Sequence, residues 1–191
     1  MSKIVNFSFE DTELEGLKIV RPFVAHDERG FLMKTFERIL FEQHGIELDN
    51  GEDIVSFSHK GVLRGIHFQT EYPQNKLVRV VNGEVWDVAV DLRKNSPTYG
   101  KWKGFYLSGE NGVSLYIPKG FGHGFLALTD NVILLYKIGE VYHPDNDSGI
   151  RWNDPRLAIE WPIDEVKQLI VSEKDGNLQS FVDFQNNVGG L

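Results

Sequence analysis

Glu84-Val85-Trp86-Asp87-Val88-Ala89-Val90-Asp91-Leu92 is the stretch whose reading decides the fold. Trp86, Val88, Val90 and Leu92 recur at every second position, a period that belongs to a β-strand and puts all four on one face. It reads as a half-buried strand. Working outward, residues 102–107, 113–117, 124–128 and 132–138 form similar short segments. They are separated by turn signals at Asn82-Gly83, Ser96-Pro97, 109–112 and Thr129-Asp130-Asn131. Many short strands joined by regular turns predict a mainly β chain folded as a sandwich or a double-sheet jelly roll, with a few short helices.

Towards the N-terminus, residues 17–23 alternate and end near Pro22, as an early strand does, and residues 26–30 read as a turn. Residues 31–36 continue as a strand, 37–45 as a short surface helix closing on Gly45, and 49–53 as a loop. Near the C-terminus, 164–170 reads as a second helix. There is neither a repeat nor a low-complexity linker, so residues 1–191 are expected to form a single domain.

Composition narrows the function. The 28 acidic against 20 basic residues give a formal charge of -8, which argues against nucleic acid or an acidic membrane surface as partner, while leaving room for a small anion in a local basic pocket. With no cysteine, thiolate nucleophiles and Cys-ligated metals are excluded. No apolar run has the character of a signal peptide or the length of a membrane span, and a cytoplasmic location is expected.

The chemistry gathers in Gly61-Val62-Leu63-Arg64-Gly65-Ile66-His67-Phe68-Gln69 and the following Lys76-Leu77-Val78-Arg79-Val80. In a regular strand Arg64 and His67, three positions apart, face opposite sides, and a bulge at Gly65 would bring both to one side. Further on, Pro118-Lys119-Gly120-Phe121-Gly122-His123 places a histidine just beyond a Gly/Pro-rich turn. It resembles the second half of the cupin signature, Pro-x-Gly-x-x-His. The first half, two histidines one residue apart with a downstream carboxylate, is replaced here by His67-Phe68-Gln69. No transition-metal set assembles from these residues, so no metal and no cofactor are expected.

Residues 60–93, Ser96-Pro97-Thr98-Tyr99-Gly100, Tyr116-Ile117-Pro118, 120–125 and Leu135-Tyr136-Lys137 carry a closer resemblance, continued by Ile150-Arg151-Trp152-Asn153-Asp154-Pro155, Trp161-Pro162 and Val171-Ser172-Glu173-Lys174-Asp175. In this order they resemble the dTDP-4-dehydrorhamnose 3,5-epimerase family of cupin-fold enzymes over roughly residues 16–175. The resemblance implies a cupin-like barrel and a metal-independent epimerase of a nucleotide-linked 4-keto-6-deoxyhexose, converting dTDP-4-dehydro-6-deoxy-D-glucose to dTDP-4-dehydro-L-rhamnose.

Such a reaction needs a base, a group to hold an enolate and an acid. The resemblance implies His67 as base, Asp175 as the carboxylate that fixes its tautomer, Lys76 at the enolate oxygen and Tyr136 as acid, its phenol made more acidic by a nearby ammonium. Arg29, Arg64, His123, Lys174 and Asp147 carry over as substrate-binding residues, and Tyr142 falls where an aromatic ring stacks on thymine. A homodimer in which N-terminal residues such as Arg29 reach the partner's site is also implied. Four positions depart from the family pattern: Lys34 replaces a glutamate, Glu52 and Ile54 replace a Gln-x-Asn pair, and Asp147 stands where glutamate is usual. These leave open a single-carbon epimerase or one acting on another nucleotide sugar; a non-catalytic sugar-nucleotide binding cupin is the alternative of another class. Singly, each residue reads as an ordinary strand or loop residue; together, in family order, they favour a site.

Overall fold

The computed structural model describes residues 3–48 and 51–191. Met1, Ser2, Asp49 and Asn50 lie outside the described residues, and with the last two goes the start of the loop expected at 49–53. The strands in chain order are β1 (Lys3–Val5), β2 (Ser8–Asp11), β3 (Lys18–Arg21), β4 (Phe23–Asp27), β5 (Gly30–Lys34), β6 (Glu52–Ser58), β7 (Val62–Gln69), β8 (Lys76–Asn82) and β9 (Glu84–Asp91). They continue with β10 (Trp102–Ser108), β11 (Ser114–Ile117), β12 (Phe121–Ala127), β13 (Val132–Ile138), β14 (Asp147–Gly149) and β15 (Ile170–Val171). The helices are short: α1 (Arg38–Gln43), α2 (Glu173–Gly176) and α3 (Phe181–Asn187).

Two six-stranded sheets form the body. One runs β10-β9-β12-β7-β14, with β15 added beside β7; the other runs β2-β3-β11-β8-β13-β6, and β1-β4-β5 make a separate three-stranded sheet. The fold is the expected double-sheet jelly roll with a few short helices. Strand alternation explains how the halves meet. Val85 and Ala89 of β9 pack with Phe121 and Phe125 of β12 against Val78, Val80, Leu115 and Leu134 of the opposite sheet. Each such buried side chain contributes roughly 1.5–3 kcal/mol of hydrophobic stabilisation.

The strand at 84–92 is buried on both faces, not half-buried as its alternation predicts. Its Trp86, Val88, Val90 and Leu92 face outward onto Leu63, Ile66, Phe181 and Phe184, because the C-terminal segment covers that side of the sheet. The polar positions therefore turn away from that cover: Asp87 and Asp91 are wholly inaccessible, Asp87 against His123 inside the barrel and Asp91 bound by Arg93, Ser96 and Thr98 of the loop that follows.

The helix expected at 164–170 is absent. A 3-10 turn at Ile163–Glu165 leads into β15, whose residues pair in parallel with Val62 and Leu63 of β7. The Ile170 N–H donates to the Gly61 carbonyl, so pairing at this sheet edge takes the backbone group that a helix would use. Helix α3 forms further on, started by a capping box between Ser180 and Asp183. Glu52 and Asp53, expected in a loop, begin β6. The surface helix at 37–45 is present as α1, with Phe41 buried and Gly45 at φ +74° beyond it.

The bulge expected at Gly65 is present and orders everything near it. His123 pairs with His67 and Phe125 with Arg64, so Gly65 and Ile66 together oppose the single residue Gly124. Gly65 has φ +114°, and a Cβ there would lie 2.5 Å from the Gly124 Cα. Replacing Gly65 with alanine combines that clash with backbone strain of ~1–3 kcal/mol. Gly65→Ala is expected to lower unfolding free energy by at least that amount in a denaturant titration; unchanged stability would show that this backbone is not constrained.

Candidate active site

The bulge turns both Arg64 and His67 into a cavity of about 470 Å³ between the two sheets. That volume suits a small-molecule ligand. His67, Lys76, His123, Tyr136 and Asp175 form its inner wall, and Arg64, Tyr142, Asp147 and Lys174 also line it. Nine of the ten residues that the resemblance implies are thus brought together. Arg29 is not among them. It lies in the β4–β5 turn, exposed, with its guanidinium on Asp27 at 2.5 Å.

Asp175 is placed by a single helical turn. Ser172 caps α2, and its hydroxyl accepts the Asp175 N–H at 3.1 Å. The carboxylate then meets β7 twice: Oδ1 lies 2.9 Å from His67 Nε2, and Oδ2 accepts the Gly65 N–H at 3.4 Å. Burial pushes the Asp175 carboxyl up, but the bond and charge of His67, the Gly65 N–H and the Lys174 ammonium outweigh it and hold it below the usual carboxylate range. With Nε2 donating to Asp175, Nδ1 is the basic nitrogen of a neutral His67.

Lys76 is buried, and no hydrogen bond or ion pair to it is found among the described residues. Burial lowers its ammonium to about 8, against the opposing charges of Asp147 and Asp87. Tyr136 corrects the expectation of an acidified phenol. Burial raises it to about 12, against a lowering hydrogen bond with Ser56 and the charge of Arg64. It stays protonated throughout the neutral range.

At the mouth, Asp147 receives both Tyr142, at 2.9 Å, and the Lys174 ammonium. Arg64 reaches Ser58 and the Phe57 carbonyl, each at 3.3 Å. Of the four departures, Glu52, Ile54 and Asp147 line the cavity, whereas Lys34 is exposed and pairs with Glu37. Among the described residues no group of three or more His, Cys, Asp or Glu side chains converges as a metal-binding set.

The sequence reading missed Asp87 and Ser56. Asp87 holds His123 Nε2 at 2.9 and 3.1 Å, and Ser56 lies 3.4 Å from the Tyr136 hydroxyl. A carboxylate inside a largely apolar strand was the signal for the first; nothing in the sequence around Ser56 marked the second.

The family model described as dTDP-4-dehydrorhamnose 3,5-epimerase matches residues 11–183. The chain belongs to that family. It is 54% identical over 174 residues to the dTDP-4-dehydrorhamnose 3,5-epimerase of Methanothermobacter thermautotrophicus, covering 91% of this chain and 94% of the relative. The enzyme of the same name from Escherichia coli K12 is 49% identical over 169 residues, 87% and 90% of the two chains. Among solved structures, dTDP-6-deoxy-D-glucose-3,5-epimerase from Legionella pneumophila Philadelphia 1, in complex with dTDP-4-keto-L-rhamnose, superimposes with a TM-score of 0.88 at 43% identity, covering 92% of this chain and 93% of that one.

The resemblance implies that Lys76 meets the enolate oxygen, and that role would tie activity to its charge state. An ammonium can neutralise a developing oxyanion and an amine cannot, so activity is expected to be retained below about 8 and lost as pH rises through it. A kcat/KM profile with its alkaline limb near 8 supports this; a limb set only above about 10, the ordinary lysine range, contradicts it.

Proposed function

We propose that the protein acts as a single cupin-like epimerase domain that inverts the carbons flanking the C4 ketone of dTDP-4-dehydro-6-deoxy-D-glucose, giving dTDP-4-dehydro-L-rhamnose. The observation that carries this reading is the convergence of His67 with Asp175, Lys76 and Tyr136 on one cavity. Nδ1 of His67 takes the proton next to the ketone, the C–H pair becomes the C=C bond of the enolate, and the carbonyl π pair moves to the C4 oxygen. Asp175 stabilises the imidazolium. The Lys76 ammonium neutralises the enolate oxygen. Tyr136 returns a proton to carbon from the opposite face, the enolate pair forms the new C–H bond, and solvent then takes the proton from the His67 imidazolium and reprotonates the phenolate. A high phenol pKa keeps that proton in place until a basic carbanion calls for it.

At the mouth, Arg64 and Lys174 supply positive charge for the diphosphate and the half-exposed Tyr142 offers a ring for the base. Arg29, turned outward and outside the cavity, fits a role in a partner's site across a homodimer. No helix among the described residues is long and apolar enough to cross a membrane, and we place the reaction in the cytoplasm, without metal or cofactor.

Removing the base is the sharpest check. His67→Ala is expected to abolish turnover, while Asp175→Asn should stay folded and lose ~10² or more in kcat, as orienting carboxylates do behind histidine bases. Near-normal turnover in His67→Ala would assign the base elsewhere.

Specificity for the nucleotide is expected to be weak, because Ile54 offers no hydrogen bond at its position and Tyr142 can stack on any base. Incubation in D₂O containing EDTA, with dTDP-, UDP-, CDP- and GDP-linked 4-keto-6-deoxy sugars, should show deuterium entering on both sides of the ketone at comparable rates. A strong preference for one nucleotide contradicts weak discrimination. Exchange at one carbon only marks a single-centre epimerase, and failure with EDTA a metal requirement.

A further inference from the structure

Asp87 has no part in the scheme above, yet it is wholly buried on the inner face of β9. Both of its oxygens lie within hydrogen-bond distance of one atom, Nε2 of His123, itself 5% exposed. No other hydrogen-bond partner of the Asp87 carboxylate is found among the described residues. A carboxylate sealed inside an apolar barrel is costly unless a positive charge offsets it.

Lys76, across the barrel on β8, has the complementary problem of a buried ammonium with no direct partner. The other carboxylate whose charge acts on it, Asp147, is already engaged by Tyr142 and Lys174. Asp175, from α2, is held by the His67 imidazole of β7 and by the Gly65 N–H, Tyr136 from β13 is a protonated phenol, and Glu52, Arg64 and Lys174 line the same cavity. Asp87 is held by an imidazole alone, and that imidazole, His123, lines the cavity together with Lys76.

We propose that Asp87 is a positioning residue of the reaction, whose buried carboxylate, anchored by His123, supplies counter-charge that keeps Lys76 an ammonium inside the cavity. The proposal rests on the reading of Lys76 as the group that meets the enolate oxygen. Asp87 touches no reacting atom. It acts through Lys76, and its loss should move a titration instead of simply scaling a rate.

The test follows Lys76 directly, by NMR titration of protein carrying lysine labelled with ¹³C at Cε, with the Lys76 resonance assigned from its absence in Lys76→Met. In Asp87→Asn the Lys76 midpoint should fall by roughly half a pH unit or more, on the scale by which a neighbouring charge moves a buried group, and the alkaline limb of kcat/KM should fall with it. An unchanged midpoint in folded Asp87→Asn overturns the proposal. A midpoint that falls while the activity limb stays put upholds the charge link but removes Lys76 from the reaction. His123→Gln preserves the carboxylate and guards against a misfolded Asp87→Asn. Its Lys76 midpoint should stay at or above that of the unaltered protein, and a lower one overturns the proposal.

Discussion

The contact on which the site depends is the one that Asp175 makes with β7. One oxygen lies 2.9 Å from His67 Nε2 and the other accepts the Gly65 N–H. A single carboxylate thereby ties the one-turn helix α2 to the bulge in β7 and to the imidazole that the bulge turns inward. Without the extra residue at the bulge, Arg64 and His67 would face opposite sides of the sheet. The clash that any Cβ at position 65 would make with Gly124 explains why glycine stands there.

The barrel interior divides along its length. At one end Val78, Val85, Leu115, Phe125 and Leu134 fill it with apolar side chains. At the other, Lys76, His67, His123, Asp87 and Asp175 are enclosed in close array. Buried charges cost several kcal/mol each unless they are paired, and here both histidines sit on a carboxylate. The lysine is the exception, and its lowered titration is the consequence. An enolate oxygen arriving beside it would meet a positive charge little shielded by water, where electrostatic stabilisation is most effective.

Much of this was legible in the chain. The alternation in β9, β12 and β13 gave the strands, and the spacing of Arg64, Gly65 and His67 gave the bulge, because both follow from strand geometry alone. The inward direction of Asp87 was not legible, for a related reason. Alternation separates two faces without saying which is inside, and here the apolar face of β9 turns outward under Phe181 and Phe184 while Asp87 points into the barrel. Residues 164–170 misled because Val166, Leu169 and Ile170 have helical spacing, yet that segment packs at the edge of β7 and ends in a strand pair. The Tyr136 phenol was expected to be acidified by an ammonium, but its burial prevails, and burial is set by the opposing sheet rather than by sequence neighbours.

The central claim is that His67 presents Nδ1 to the substrate as the base, with Nε2–H held by Asp175. It is tested most directly by ¹⁵N NMR of histidine-labelled protein, with the His67 ring assigned from its absence in His67→Ala. The account predicts that neutral His67 carries its proton on Nε2, with Nδ1 unprotonated, and that saturating product nucleotide sugar leaves this tautomer in place. A His67 ring protonated on Nδ1 would contradict it, since the nitrogen assigned to take the proton would already hold one.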